Sequence, residues 1–278
     1  MKNKIEQANP DVKIIRGSFT SQSERQLIFQ WLDAQFYHSL GITVFLDRTQ
    51  GIDAQWHLLR LYDSNEGNAL LGVAVVLAGG ACFWLPEESS SAGLLCSELL
   101  KLQPRRIVTT SFGRDMLRSM MGHQMSILRE YDQSVMVCSY CFPQASGRFA
   151  MTSDIPRLIE YQHLYNQERS VDERSDWNVL IQQAKVVVHE VDGQIVSIVR
   201  FGIEIHRLVS IGGTYTFPEY RQRGYAERVL AFAINQIVES GRIVHLVVDI
   251  DNTPAIELYR RMGFEYVGAS YIGYLEYS

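Results

Sequence analysis

One segment of the sequence, residues 215–227, has the residue types and spacing that bind an anion. It reads YTFPEYRQRGYAE, in which Arg221, Gly224 and Ala226 form an R-x-x-G-x-A pattern between a strand and a helix. The first N–H groups of a helix lack partners within the helix, and the helix dipole places partial positive charge there. Gly224 lets phosphate oxygens approach the backbone, and the small Ala226 leaves the first turn open. The pattern therefore predicts a pyrophosphate site.

The charge around this segment supports the same interpretation. Three arginines lie in it or beside it: Arg221, Arg223 and Arg228. Taken alone, the pattern also fits a glycine turn before an amphipathic helix whose arginines face solvent. A second segment, residues 252–264, follows the next predicted strand and reads NTPAIELYRRMGF. Its Tyr259 lies on a helix, and a tyrosine on the apolar face of a helix more often packs than catalyses.

The elements that position both segments predict an α/β domain with a mixed sheet. A helix begins near Ser153, and a tight turn at Asp192-Gly193 joins two strands. Apolar residues at three- and four-residue intervals predict an amphipathic helix that ends at Gly241. The predicted strands are residues 185–190, 194–201, 207–216 and 243–250, and the later helices are residues 229–238 and 253–262. Helices between strands favour crossover connections.

The first half of the chain has a similar order of elements without either motif. The predicted helices are residues 21–38, 94–100 and 114–121, and the predicted strands are residues 42–46, 56–62, 106–110 and a strand ending at residue 140. Residues 69–85 carry no charge and approach the length of a membrane-spanning helix. The Gly79-Gly80 pair and the run of valines instead favour a buried hairpin. The repeated order is a hint of duplication.

Composition limits the class of protein. The 278 residues amount to about two domains at roughly 150 residues each. A hydrophobic fraction of 46% and a charged fraction of 21% are those of a globular protein. Because 31 acidic residues exceed 26 basic ones, no overall field attracts nucleic acid or a membrane. Four cysteines make no disulfide scaffold, and residues 1–15 lack the apolar core of a signal peptide, so we expect a cytoplasmic protein.

The two segments together resemble the GCN5-related N-acetyltransferase (GNAT) superfamily. That family has R/Q-x-x-G-x-G/A after its fourth strand and N-x-x-A-x-x-L-Y-x-x-x-G-F after its fifth, in the order found here. The resemblance extends from about Arg148 to Ser278, and residues 149–154 are similar to the family's first strand and turn. Ala226 stands where many members have glycine. The resemblance implies the acyl-CoA N-acyltransferase fold, tandem if the first half is a degenerate lobe.

The resemblance also implies a role for each matching residue, with acetyl-CoA as co-substrate and no metal. Backbone groups of Tyr215, Thr216 and Phe217 would pair with the pantetheine arm. The loop would hold the pyrophosphate through its backbone, and its residues are Arg221, Gln222, Arg223, Gly224, Tyr225 and Ala226. Asn252 would contact the cofactor where the central strands separate. Tyr259 would lie near the thioester sulfur and protonate the departing thiolate, while the acceptor amine attacks directly.

Neither the general base nor the acceptor follows from the sequence. An amine must lose a proton, and by position the candidate bases are Glu204, His206, Asp249 and Asp251, with a chain of waters as the alternative. The acceptor is expected to be a small molecule with a primary amine. Cys138 and Cys141 form a C-x-x-C in a strand-like stretch. Zinc would need two further ligands, and no second pair matches their spacing. A redox C-x-x-C usually opens a helix, so we expect neither chemistry here.

We expect two domains, a degenerate GNAT-like or helper domain at residues 1–145 and the N-acetyltransferase domain at residues 146–278. Residues 87–93 of the first half read EESSSAG, which is acidic where a phosphate loop would be basic. Our hypothesis is that this half packs beside the acetyltransferase domain and forms one wall of the acceptor-binding site. The expected partners are acetyl-CoA and a small amine, with no nucleic acid or membrane, in a monomer or homodimer.

Two other functions remain open at this point. The first is a non-catalytic acyl-CoA sensor in which Tyr259 only packs. The second is aminoacyl transfer from charged tRNA, because tandem lobes of this fold also carry out that reaction. Proteins of that second kind generally lack the R-x-x-G-x-A loop and need a basic surface, whereas this chain has a net charge of −5.

Overall fold

Packing divides the chain into two units. The computed structural model describes residues 12–17, 19–48, 56–64, 69–89, 91–123, 125–205 and 207–278. The first unit comprises Met1–Val135, Asp249–Asp251 and Gly268–Ser278, and the second comprises Met136–Val248 and Asn252–Val267. These packing units do not test the expected division into functional domains at residues 1–145 and 146–278, which stays a proposal.

The first half of the chain alternates strands and helices. In order they are β1 (Val12–Arg16), α1 (Gln22–Ala34), α2 (Phe36–Arg48), β2 (Trp56–Asp63), β3 (Ala69–Leu77), β4 (Ala81–Pro86), α3 (Ala92–Leu100), β5 (Arg106–Thr109), α4 (Ser111–Met120) and β6 (Met125–Cys138). Helix α3 connects β4 to β5, and these two strands are parallel, with Ala81 opposite Arg106. In the described part of this half, β4 and β5 are therefore neighbouring parallel strands joined by a helical crossover.

The second half has the same kind of crossover. Its elements are β7 (Arg148–Phe149), α5 (Ile155–Arg169), α6 (Trp177–Gln182), β8 (Val186–Val191), β9 (Gln194–Glu204), β10 (Leu208–Thr216), α7 (Tyr225–Val238), β11 (Ile243–Asp249), α8 (Thr253–Arg261) and β12 (Glu265–Tyr277). The strand order is β7-β8-β9-β10-β11, and only β10 and β11 of these are parallel. Helix α7 packs on one face of the sheet and α5 on the other.

The predicted strand at residues 42–46 is wrong, because these residues lie within α2. The run ITVFL contains the β-branched and aromatic residues that favour strands. Ile42 and Leu46, however, are one helical turn apart, and both are buried in the cluster that contains Ile28 and Leu32 of α1. Burial of this helical stripe outweighs the local preference. The predicted helix at residues 21–38 is also divided, at Gln35, into α1 and α2.

The apolar stretch at residues 69–85 is the predicted hairpin. Strands β3 and β4 pair in antiparallel fashion, with Val76 opposite Cys82. Val73 and Val75 are buried in the cluster beside α1 and α2, and Ala74 and Val76 are buried in the cluster on the opposite face. Burial on both faces explains the continuous apolar run. Across the described ranges, no helix is long and apolar enough to cross a membrane.

Strands β10 and β11 separate after three paired residues. They pair at Leu208, Val209 and Ser210, opposite Ile243, Val244 and His245. Beyond this point β10 contains a β-bulge between Gly212 and Tyr215, where its register against β9 shifts. Gly213 lies in the bulge with φ of 59°. Bulges bend a strand and redirect its side chains. This bulge therefore determines the direction of the carboxyl-terminal part of β10.

Two side chains hold the bulge from the α5 side. The Tyr161 hydroxyl donates to the Gly213 carbonyl over 2.9 Å. The Arg200 guanidinium bonds Glu173 (2.7 Å) and Ser175 (3.2 Å) in the segment between α5 and α6. A Cβ at Gly213 would lie 2.5 Å from both Arg200 Nε and the Tyr161 hydroxyl oxygen. Glycine is therefore required at this position by conformation and by space.

We expect Gly213→Ala to lower the free energy of unfolding by about 1–3 kcal/mol, because it adds left-handed strain and a steric clash. Denaturant unfolding of the whole protein measures this change. Gly212→Ala is the matched control, since a Cβ there meets nothing within 4 Å. Equal stability of the two variants would show that the bulge is not held as described.

Candidate active site

The loop before α7 turns sharply and leaves open space at its glycine. Arg221 is extended (φ −65°, ψ 161°), whereas Gln222 has φ of 61° and Gly224, the N-cap of α7, has φ of 76°. A Cβ at Gly224 would meet nothing within 4 Å. The first N–H groups of a helix lack partners within the helix and can bind an anion. We call this exposed backbone at Gly224 and the N-terminus of α7 the cradle; that it binds an anion stays a prediction.

A cavity of about 420 Å³ opens beside this loop. Helix α8 contributes Pro254, Leu258 and Arg261, which lie on one face because they are four and three residues apart. The other lining residues come from the end of β10, the loop and the first turn of α7: Thr216, Tyr220, Arg221, Gln222, Gly224, Tyr225, Ala226 and Glu227. Most of the loop residues predicted to bind a cofactor therefore line one cavity.

The end of β10 presents one residue to the side where β11 has separated. The Phe217 N–H donates to the Val196 carbonyl over 3.1 Å, and the Tyr215 carbonyl accepts from Ser197 Oγ over 2.9 Å. Both groups therefore face β9. Backbone direction alternates along a strand, so the backbone of Thr216 faces away from β9. Of the three residues expected to pair with a pantetheine arm, Thr216 has its backbone on that side, and its carbonyl already accepts from Arg221 Nε over 2.9 Å. Pairing of its N–H with such an arm stays a prediction.

The arginines of the loop are arranged differently from the expected positive patch. Arg221 donates from Nε to the Thr216 carbonyl (2.9 Å) and from Nη2 to both carboxylate oxygens of Glu168 (2.7 and 2.9 Å). Glu168 also accepts from the Tyr215 hydroxyl over 3.0 Å. Arg221 therefore braces the loop against α5 and β10. Arg223 does not line the cavity, and its guanidinium lies 6.0 Å from the Tyr220 ring.

Tyr259 lies on the buried face of α8, with 8% of its surface exposed. Burial raises the pKa of its hydroxyl, as does Tyr165, whereas the Thr214 hydroxyl and Arg169 lower it by less. Thr214 directly follows Gly213, so the bulge positions the Thr214 hydroxyl beside Tyr259. A tyrosine hydroxyl is protonated at neutral pH, and the raised pKa extends that range upward, so Tyr259 holds a proton that it could donate.

Asn252 is the N-cap of α8. Its Oδ1 accepts from the Ala255 N–H over 3.4 Å, and Pro254 lies in the first turn. Capping satisfies a helix N–H group that would otherwise lack a partner. Asn252 does not line the cavity. Its observed role is to begin the helix that carries Tyr259, and contact with a cofactor stays a prediction.

The candidate bases do not converge on the cavity. Glu204 is paired with Val209 at the opposite end of β10 from Thr216, and it binds Lys185 and Arg242. These partners, Lys185 first, outweigh burial and lower the pKa of Glu204. Asp249 accepts from Gln133 over 2.8 Å. Asp251 is exposed, and His206 lies outside the described residues.

The cysteine pair lies at the end of β6. Cys138 is buried and Cys141 is exposed. Burial raises the pKa of the Cys138 thiol and Cys141 raises it further, which opposes the thiolate that redox exchange requires. Within the described ranges, no three His, Cys, Asp or Glu side chains are grouped as metal ligands.

Comparison with known proteins identifies the fold. The model of the acetyltransferase (GNAT) family matches residues 154–264. A GCN5-related N-acetyltransferase from Sphaerobacter thermophilus is 16% identical, has a TM-score of 0.63 and aligns over 95% of each chain. A GNAT-family acetyltransferase from Colwellia psychrerythraea is 12% identical over 95% of this chain and 100% of its own, with a TM-score of 0.56.

A tandem GNAT protein from the clavulanic acid biosynthesis pathway is also similar. It is 10% identical, has a TM-score of 0.52 and aligns over 95% of this chain and 98% of its own. None of the curated proteins matches the chain. The chain therefore has a mixed α/β fold of the GNAT type. The match to the acetyltransferase (GNAT) family model lies at residues 154–264, the part of the chain that contains both motifs.

Sequence reasoning missed three side chains of this region. Glu168 was not expected because it reaches Arg221 from 53 residues away in the chain. The position of Thr214 beside Tyr259 depends on the β-bulge in β10, which no local sequence pattern predicts. Arg261 lies inside a recognised segment, and its spacing of seven residues from Pro254 could have placed it on the cavity face of α8.

We expect Asn252→Ala to lower the free energy of unfolding by about 0.5–2 kcal/mol, because α8 loses its cap. Asn252→Asp should keep nearly all of that stability, since aspartate also caps helices. Urea unfolding of the three proteins measures both changes. A loss in the aspartate variant as large as in the alanine variant would mean that the amide nitrogen, rather than the capping oxygen, is what matters.

Proposed function

We propose that this protein is an N-acetyltransferase that moves an acetyl group from acetyl-CoA to a primary amine of a small-molecule acceptor. The proposal rests on one observation above all. An exposed backbone cradle at the N-terminus of α7 and a buried, protonated Tyr259 on α8 belong to the same GNAT-type domain. A phosphate-bearing thioester needs both an anion site and a proton donor for its leaving thiolate.

The residues present fit acetyl-CoA. The open space at Gly224 accepts phosphate oxygens against backbone N–H groups, and the helix dipole of α7 favours their negative charge. The N–H of Thr216 faces the gap left by β11, where it could donate to a carbonyl of an extended amide-bearing arm. When bound, acetyl-CoA supplies an acyl carbon activated as a thioester. Pro254 and Leu258 provide the apolar side of the cavity.

The proposed reaction needs no covalent bond to the protein. The lone pair of the acceptor nitrogen would form the new C–N bond, and the C–S bond would break with its electron pair on sulfur. The nitrogen would release one proton to solvent, Tyr259 would donate its hydroxyl proton to the sulfur, and solvent would return a proton to the tyrosine. Burial disfavours the charged phenolate, so Tyr259 holds its proton before the thiolate forms.

We also retain the proposal that residues 146–278 carry the activity and that residues 1–145 form a helper domain. The protein is proposed to act in the cytoplasm on a small acceptor, without nucleic acid or membrane. A non-catalytic acyl-CoA sensor would share the cradle and the cavity. In such a sensor the Tyr259 side chain would only pack, whereas in the enzyme its hydroxyl would donate a proton. Amine turnover separates the two functions.

Acetyl-CoA should stabilise the protein in a thermal shift measurement. At a concentration one hundred times its dissociation constant, a ligand adds about 2.7 kcal/mol. Gly224→Glu should abolish the shift, because it places a carboxylate in the cradle. Gly241→Glu is a matched control at the other end of α7, since Gly241 has φ of 77° and open space around its Cβ position. Failure of millimolar acetyl-CoA to shift the wild type would overturn the proposal.

Tyr259→Phe should lower kcat for any accepted amine by about 10²–10⁴-fold, because a positioned proton donor is lost. The ring is kept, so the acetyl-CoA shift should remain. Turnover of an amine panel, followed as released CoA thiol, measures the effect. Turnover at the wild-type rate in Tyr259→Phe would contradict the assigned role. Absence of turnover in the wild type, with acetyl-CoA binding intact, would favour the sensor.

A further inference from the structure

A second cavity, of about 400 Å³, lies between α5 and the segment that leads to α6. We call it the α5–α6 cavity. Its lining residues are Ile159, Gln162, His163 and Asn166 of α5, together with residues 173–175 and Trp177. The four residues of α5 are three or four positions apart, so they share one face of the helix. None of these residues lines the cavity beside the anion loop. A ligand here would therefore occupy a second site.

Hydrogen bonds hold the two walls of the α5–α6 cavity together. The Gln162 carboxamide accepts from the Ser175 N–H and donates to Ser175 Oγ, both over 3.1 Å. The Asn166 carboxamide donates to the Glu173 carbonyl over 2.8 Å and accepts from the Glu173 N–H over 3.3 Å. Each carboxamide thus binds one residue of the facing wall through both of its ends. The cavity is built before a ligand arrives, so binding does not have to order its walls.

The charged residues of this cavity differ in how firmly they are paired. Glu173 Oε2 accepts from Arg200 Nη2 over 2.7 Å, and the Arg200 side chain is largely buried, so the charge of Glu173 is matched. Arg174 lies 3.6 Å from Asp172, and these two side chains are 87% and 82% exposed. Ion pairs between exposed side chains contribute little, so a ligand can replace Asp172 at Arg174. His163 is also exposed and offers an imidazole N–H.

Apolar surface lies beside these cationic and polar groups. Ile159 is 57% exposed, although it is a large aliphatic side chain. Trp177 forms part of the wall, and its ring packs edge-on against Tyr161 with 5.9 Å between the centroids. Covering apolar surface releases its hydration water, which favours binding. Small-molecule sites have volumes of roughly 300–1,000 Å³, and this cavity is large enough for a body the size of one ring.

We propose that the α5–α6 cavity binds a small organic carboxylate with an apolar body. The carboxylate pairs with Arg174, whose guanidinium can donate two parallel hydrogen bonds to it, and His163 supplies a further donor. The apolar body covers Ile159 and lies against Trp177. An amine is disfavoured, because the Glu173 carboxylate is already bound to Arg200. The inference does not rest on the proposed acetyl transfer, since different residues line the two cavities.

Four matched probes test the ligand class by ligand-observed NMR titration of the whole protein. The probe 3-phenylpropionate has both features, 3-phenylpropanamide lacks the charge, 3-phenylpropylamine has the opposite charge, and propionate lacks the apolar body. We expect 3-phenylpropionate to bind about tenfold more tightly than the amide, the value of one charge-assisted contact. The amine and propionate should also bind more weakly. Equal binding of acid and amide, tighter binding of the amine, or no binding of 3-phenylpropionate at millimolar concentrations would overturn the inference.

Two variants locate the binding in this cavity. Arg174→Gln should weaken 3-phenylpropionate about tenfold and leave the amide unchanged, because one charged contact is lost. Ile159→Ala should weaken the acid and the amide alike. The matched controls are Arg260→Gln and Val179→Ala, two exposed positions outside the lining, and neither should change binding. Unchanged binding of 3-phenylpropionate in both cavity variants, or an equal loss in the controls, would show that the acid binds elsewhere and would overturn the inference.

Discussion

The separation of β10 from β11 is the constraint on which the candidate site depends. Parallel strands that stay paired consume each other's N–H and C=O groups. Here the pairing ends at Ser210 and His245, and the bulge at Gly213 sets the direction of the rest of β10. The gap is maintained by packing from the α5 side, since Tyr161 and Arg200 both contact the bulge. The backbone of Thr216 and the side chain of Thr214 take their positions from that arrangement.

The electrostatic design of the site is local. The chain is acidic overall, and the two arginines that line the cavity are each matched by a carboxylate, Arg221 by Glu168 and Arg261 by Glu227. Side-chain charge therefore contributes little net positive field. If the site binds an anion as proposed, the attraction would come mainly from backbone N–H groups and the dipole of α7, which act over about one helical turn. Such a site would favour ligands that enter the cradle over polyanions that pass along the surface.

The sequence was a good guide wherever structure is determined by neighbours in the chain. The left-handed turn at Gly224 and the amphipathic α7 follow from local composition, and the predicted helix and strand after them were found. Non-local effects were missed. Residues 42–46 have strand-forming side chains, yet burial against α1 makes them helical. The charge of Arg221 was recognised, but its partner Glu168 could not be, because only the folded sheet and α5 bring the two together.

The hydroxyl of Tyr259 is another case in which residues distant in the chain determine a property that the sequence does not reveal. Its place in the motif was readable, but the state of its hydroxyl depends on depth and on Thr214, Tyr165 and Arg169, which come from two other elements. A motif identifies the residue, whereas the surrounding fold sets the pKa of its hydroxyl. The sequence likewise did not indicate where Glu204, one of the candidate bases, would lie, because its pairing with Val209 and its ion pairs with Lys185 and Arg242 form only in the folded sheet.

The pairing of β12 with β5 has a consequence for how the protein folds. Tyr271 lies opposite Thr109, and Gly268–Ser278 belongs to the same unit as the first half of the chain. A strand made late in synthesis therefore completes a sheet begun early. Until β12 emerges from the ribosome, the edge of β5 lacks that partner and is exposed to pairing with other chains. Contacts this distant in sequence also slow folding, so the first unit is expected to mature last although it is synthesised first.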